Sequence, residues 1–173
     1  MTMEKGYIHI YTGDGKGKTT AAFGVALRTA LLGKNVFIGQ FIKGMKYTET
    51  KISEYLPQIE IVQLGETCFI EKTPKEEDVD RAVQGLKLMR EKLISGQYAL
   101  VIFDEISIAL YYKLFSEADL IAVLNEKPYE TEVILTGRYC SEDLIDLADL
   151  VTEMKEIKHY YHQGVLSRAG IDC

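Results

Sequence analysis

The chain predicts an α/β fold, a mostly parallel sheet of about six strands with helices on both faces. Three observations predict it. Short apolar runs alternate along the chain with stretches of helical spacing. A glycine-rich segment joins the first run to the first helix. An acidic pair closes the fourth run. Together they describe a P-loop NTPase core of RecA-like shape.

The first run, Tyr7 to Tyr11, reads as a buried strand. Thr12-Gly13-Asp14-Gly15-Lys16-Gly17-Lys18-Thr19-Thr20 follows, then an Ala/Leu-rich helix to Leu32, closed by Gly33. Strand, glycine loop, Lys-Thr and helix are the layout of a phosphate-binding loop. Phosphate oxygens must approach the backbone closely, which a Cβ obstructs. Glycine also reaches the positive φ angles that turn successive N–H groups inward. The helix N-terminus adds partial positive charge. Lys18 supplies a full charge, and the Thr19 hydroxyl suits Mg²⁺. The usual pattern, G-x-x-x-x-G-K-[ST], places glycine where this chain has Thr12. Gly13 and Gly15 can restore the turn. Gly-Lys-Thr alone occurs by chance in surface loops; the strand before it and the helix after it favour nucleotide binding.

A length of 173 residues suits one domain over residues 1–173 with a sizeable core. Apolar content of 47% and charged content of 27% place it among soluble globular chains. A net charge of −6 argues against a dedicated nucleic-acid binder, whose footprint is basic. Cys68, Cys140 and Cys173 are odd in number and widely spaced, which fits a reducing compartment without disulfides. No signal stretch or membrane-spanning run stands out, so a cytoplasmic protein is expected.

The second strand is Asn35 to Ile42, with Gln40 and Lys43 at its C-terminal end. Ligands bind at that edge of open α/β sheets, although ordinary solvated loop residues read the same way. Ile59 to Leu64 is the third strand. The loop Gly65 to Thr73 holds Cys68, Phe69 and Ile70, which either tuck into the core or form an apolar lid over a flat ligand. Thr73, Pro74 and Glu76 look like a capped helix start. Val79, Ala82, Val83, Leu86, Met89 and Leu93 make an apolar stripe that is core packing, ended by Gly96.

Tyr98 to Phe103 is the fourth strand, delivering Asp104-Glu105. An apolar strand ending in an acidic pair is the Walker B pattern, and such a carboxylate holds Mg²⁺ directly or through water. Ile106 to Leu124 is helical, in one piece or two. Glu132 to Leu135 is the fifth strand, ending in Thr136-Gly137-Arg138. Arg138 lies at the same sheet edge as Lys18 and Asp104, where it can contact an anion or pair with a carboxylate. Ser141 to Leu147 makes a short helix and Ala148 to Met154 the last strand. The remaining stretch, Lys155 to Cys173, reads as polar and irregular. His159 and His162 are three apart, but without further ligands a zinc site is disfavoured.

A phosphate loop leaves kinase, ATPase and other chemistries open, and Asn125-Glu126-Lys127-Pro128 fails the base-reading motif of a GTPase. Resemblance narrows the choice. The loop from Thr12 to Gly24, Gln40-Phe41-Ile42-Lys43-Gly44, Phe103-Asp104-Glu105-Ile106, Thr136-Gly137-Arg138, Ala148 to Met154, Lys158-His159, Gly164-Val165-Leu166 and Arg168 to Asp172 recur in one order. In these blocks the chain resembles the ATP:corrinoid adenosyltransferases of the CobA/BtuR type over nearly its full length.

The resemblance implies a mechanism. Co(I) of a reduced corrinoid attacks C5′ of ATP, and triphosphate leaves. ATP lies reversed in the loop, with its ribose toward the corrin. Gly13, Asp14, Gly15, Lys16, Gly17, Lys18, Thr19 and Thr20 would bind the nucleotide. Lys18, Thr19 and Glu105 carry the catalytic roles. Thr19, Asp104 and Glu105 would hold Mg²⁺, with Mn²⁺ as its substitute. Arg28 is similar to a residue at the nucleoside end, Arg138 is a further anion contact, and Phe69 belongs to the corrinoid lid. A homodimer, an electron-donating flavoprotein, and no nucleic-acid or membrane partner are implied as well. Two departures touch the corrinoid side. Of Cys68, Phe69 and Ile70 only Phe69 is aromatic, where the family shows an aromatic pair, and Lys158-His159-Tyr160-Tyr161-His162 replaces the family's Lys-His-Pro-Tyr-Asp. The alternative is a P-loop ATPase or kinase with a lost or altered corrinoid site.

Overall fold

The six apolar runs form one sheet in the order β3-β2-β4-β5-β1-β6, and every pairing is parallel. A computed structural model describes residues 4–42, 48–65 and 74–172 of the chain. Its strands are β1 (Ile8–Thr12), β2 (Val36–Gln40), β3 (Ile59–Gln63), β4 (Leu100–Asp104), β5 (Glu132–Thr136) and β6 (Leu150–Glu153). Its helices are α1 (Lys18–Leu31), α2 (Ile52–Tyr55), α3 (Glu76–Ile94), α4 (Ile106–Tyr111), α5 (Glu117–Asn125) and α6 (Glu142–Leu147).

The sheet order explains the apolar runs. β2 and β4 are central and buried at every position, so alternation is absent from their sequences. β6 is an edge strand and stays exposed. On one face Ala22, Phe23, Ala26 and Ala30 of α1 pack on Val36, Ile38, Ile102 and Ile134. On the other, Leu86, Met89 and Leu93 of α3, with Leu120 and Leu124 of α5, cover Phe37, Val101, Phe103 and Val133. Parallel strands separated by crossovers put every C-terminal strand end on one edge, where the phosphate loop lies.

Several boundaries differ from the sequence reading. α3 starts at Glu76, because the Asp78 carboxylate accepts the Lys75 N–H at 2.9 Å and closes the first turn two residues beyond Thr73. β2 stops at Gln40, since Ile42 takes a left-handed φ of 60°. The 106–124 segment agrees with the two-piece reading: it is two helices, the second capped by Ser116, whose Oγ accepts the Asp119 N–H at 3.1 Å. The last stretch is not wholly irregular: Tyr160–Gln163 makes a 3₁₀ turn. Among the described residues no helix is long and apolar enough to cross a membrane. Among the described residues Cys140 is a free, half-buried thiol whose pKa burial pushes up to about 11; Cys68 and Cys173 lie outside them.

Candidate functional site

The loop between β1 and α1 turns at Gly13 and Gly17, with φ of 95° and 110°. Thr12 remains the last residue of β1, and its carbonyl accepts the Met154 N–H at 2.8 Å. The left-handed turn therefore begins one residue after the usual glycine position, which is why threonine is tolerated there. Gly15 donates its N–H to the Met154 carbonyl at 2.6 Å. A Cβ at Gly13 or Gly15 would stand 2.6 Å from that same carbonyl oxygen. Both glycines are thus required by close backbone approach, and the residue after β6 props the cradle.

Lys18 is buried at the start of α1, with its Nζ donating to the carbonyls of Gly13 (2.7 Å) and Gly15 (2.8 Å). Burial pushes its pKa down, and the charge of Glu105 opposes that shift. Thr19 donates its hydroxyl to Asp104 Oδ1 at 2.8 Å, across from the end of β4. Asp104 is fully buried. It also accepts the Thr136 hydroxyl at 2.6 Å and Gln40 Nε2 at 3.0 Å. β2, β4 and β5 converge here because Gln40 is in register with Asp104, and Phe103 with Leu135.

Glu105 is next in the chain and takes a left-handed φ of 59°, a strain of about 1 kcal/mol for a residue other than glycine. Its N–H donates to Thr136 Oγ1 at 2.9 Å. One threonine hydroxyl therefore fixes both acidic residues. Sequence reading singled out the Thr136-Gly137-Arg138 block for its arginine; the Thr136 role had no signal beyond its place at a strand end. Arg138 does reach the loop, its Nη2 donating to the Asp14 carbonyl at 3.3 Å, with Nε 4.0 Å from the Asp14 carboxylate. Its own carbonyl accepts the Ser107 hydroxyl at 2.6 Å.

The structure does not gather every predicted residue. Arg28 lies ten residues beyond Lys18 on α1, roughly 15 Å along the helix, where its charge acts on Tyr11 of β1. Thr20 is exposed in the first turn of α1. Phe69, with Cys68, Ile70, Lys43 and Gly44, lies outside the described residues. His159 accepts the Tyr161 N–H at Nδ1 (3.0 Å), and His162 Nε2 is 2.6 Å from Glu156. Among the described residues no group of three or more His, Cys, Asp or Glu forms a metal cluster. Lys16, expected as a nucleotide contact, is held by Tyr160 and Asp172 of the 155–172 stretch.

A family model for ATP:corrinoid adenosyltransferase BtuR/CobO/CobP matches residues 4–173. A corrinoid adenosyltransferase of Sinorhizobium sp. is 38% identical, over 99% of this chain and 82% of its own. The corrinoid adenosyltransferase CobA of Salmonella typhimurium is 35% identical, over 98% of this chain and 86% of its own. Among solved structures, a KaiC-like protein from Pyrococcus horikoshii aligns with a TM-score of 0.59 at 17% identity, over 89% of this chain and 74% of its own. The RadB recombinase aligns with a TM-score of 0.53 at 17% identity, over 91% and 78%. The two structures bear out the P-loop, RecA-like fold.

Proposed function

The chain belongs to the ATP:corrinoid adenosyltransferase family, a family of transferases that use ATP, and from that premise we propose how its residues serve the reaction. The 5′-deoxyadenosyl group of ATP moves to the cobalt of a reduced corrinoid such as cobalamin or cobinamide. The cobalt electron pair forms the Co–C5′ bond; the C5′–O bond breaks, and its electron pair leaves with triphosphate. One observation carries the reading. Lys18, Thr19 and buried Asp104 converge at one sheet edge, inside a chain matched by the family from residue 4 to 173.

No side chain needs to be the nucleophile, so the protein's work is binding, orientation and charge stabilisation. The loop N–H groups from Gly13 to Thr20, other than the Gly15 N–H held by Met154, stabilise with Lys18 and Lys16 the charge that grows on the departing triphosphate. The Thr19 hydroxyl and the Glu105 and Asp104 carboxylates are hard oxygen donors, the set that Mg²⁺ or Mn²⁺ takes. Such a cation supplies charge neutralisation on the phosphates. Asp104, already accepting the Thr19 hydroxyl, orients it for that role. Arg138 beside Asp14 adds positive charge at the loop. Arg28, far along α1, is assigned to the nucleoside end of ATP, and Phe69 to the corrinoid lid.

Adenosyl transfer supplies no electrons to cobalt, so Co(I) requires a separate reductant, for which an electron-donating flavoprotein is proposed. A homodimer is proposed as the assembly, supported by exposed apolar side chains such as Leu31, Leu32 and Leu166. The family membership does not favour the alternative of an ATPase or kinase.

The test combines purified protein, MgATP and chemically reduced cobalamin without oxygen. Triphosphate and a light-sensitive cobalt–carbon bond are expected, and both should vanish in Lys18→Ala. ADP with phosphate, and unchanged cobalt, would overturn the reading.

A further inference from the structure

The stretch after β6 returns to the phosphate loop and takes hold of one lysine there. Asp172 is the centre of the contact, its side chain 7% exposed. Its carboxylate pairs with the Lys16 ammonium and accepts the Tyr160 hydroxyl. It also accepts the Arg168 backbone N–H at 3.1 Å and Arg168 Nε at 3.0 Å. Lys16 Nζ donates to Tyr160 Oη at 2.9 Å, and the Arg168 guanidinium lies 4.8 Å from the Tyr160 ring centroid. The hydrogen bond from Lys16 draws the Tyr160 phenol below its ordinary pKa.

The two loop lysines are therefore held differently. Lys18 is satisfied by carbonyls of its own loop, those of Gly13 and Gly15. Lys16 is satisfied by a carboxylate, the protein's nearest equivalent of a phosphate oxygen. The lysine side chain remains 41% exposed, so its ion pair is weak and exchangeable.

We propose that Asp172 is a positioning residue for Lys16, an internal anion that competes with the phosphate chain for that lysine. With the loop empty, Asp172 and Tyr160 hold Lys16 toward the 155–172 stretch. An arriving phosphate chain bears several negative charges and takes the lysine. The stretch is thereby released from the loop. After the reaction Asp172 recaptures Lys16, which favours release of the triphosphate product. This inference rests on the reading of Lys16 as a phosphate contact.

The test measures binding of magnesium tripolyphosphate by calorimetry to the full chain and to Asp172→Asn, Tyr160→Phe and Lys16→Ala. Asp172→Asn should bind about two- to fivefold more tightly, because the competing charge is gone. Tyr160→Phe, which keeps the ring and removes only the hydroxyl, should shift in the same direction. Trypsin cleavage after Arg168 supplies a second readout. Saturating tripolyphosphate should accelerate it in the unmodified chain, and cleavage should be fast without ligand in Asp172→Asn. Weaker or unchanged binding in Asp172→Asn and Tyr160→Phe, alongside weaker binding in Lys16→Ala, would overturn the competition while leaving Lys16 a phosphate contact. Unchanged binding in Lys16→Ala would overturn the reading of Lys16 itself.

Discussion

Replacing Asp104 by asparagine or by alanine separates what its shape does from what its charge does. The residue is fully buried and accepts the Thr19 and Thr136 hydroxyls on Oδ1 and Gln40 Nε2 on Oδ2. Alanine leaves these three donors without their acceptor. At about 1–3 kcal/mol for each of the three bonds lost, the loss is roughly 3–9 kcal/mol. Whole domains are stable by only about 5–15 kcal/mol, so Asp104→Ala should be barely folded.

Asparagine keeps one oxygen for the two hydroxyls and turns an amide toward Gln40. Two amide groups would then face each other as donors. The Gln40 Oε1 atom, however, is buried with no hydrogen-bond partner among the described residues. Turning the Gln40 amide over presents that oxygen to the new donor and restores the pair. The remaining loss is the difference between charge-assisted and neutral hydrogen bonds, about 1–2 kcal/mol in all. Urea unfolding should therefore place Asp104→Asn close to the unmodified protein and far from Asp104→Ala. Calorimetry should show that Asp104→Asn loses the magnesium-dependent part of ATP binding, since the charge is gone. Equal destabilisation by the two substitutions would refute the Gln40 exchange. Undiminished magnesium-dependent binding in Asp104→Asn would refute its electrostatic role.

Gly137→Ala should cost about 1–3 kcal/mol, read as a lower melting temperature with weaker ATP binding, because Gly137 sits at φ 139° and its Cβ would meet Ser107 Oγ at 2.2 Å. Wild-type melting would show that the Arg138 turn re-forms without strain. Lys127→Met should destabilise by about 1 kcal/mol in urea, since Nζ donates to the carbonyls of Gly6, Pro128 and Thr131 from a half-exposed position. Burial lowers the Lys18 pKa from its usual 10.5, and bound phosphate favours the ammonium. Above the pH range in which the phosphate groups themselves titrate, tripolyphosphate affinity should thus fall as pH rises through that lowered value, with proton uptake on binding in calorimetry across two buffers. Affinity unchanged up to the ordinary lysine range would refute it.

The strands and the phosphate loop were legible because their causes are local. Val36 to Ile38 and Leu100 to Phe103 are apolar at every position, since both sheet faces are covered by helices. Strand, glycines, Lys18-Thr19 and helix lie within one short stretch, and their chemistry depends on backbone they carry themselves. What required the tertiary structure is non-local. That Thr136, from a strand 32 residues later, bonds both the Asp104 carboxylate and the Glu105 N–H has no local cause. The tolerance of Thr12 depended on where the turn begins relative to Met154 of a distant strand end. Arg28 shares a helix with Lys18, yet the helix rise carries it away from the loop. Lys16 meets Tyr160 across 144 residues of chain, and no spacing rule connects them. Periodicity and motif report what neighbours in sequence do to one another; strand order and chain return decide which distant carboxylate faces which lysine.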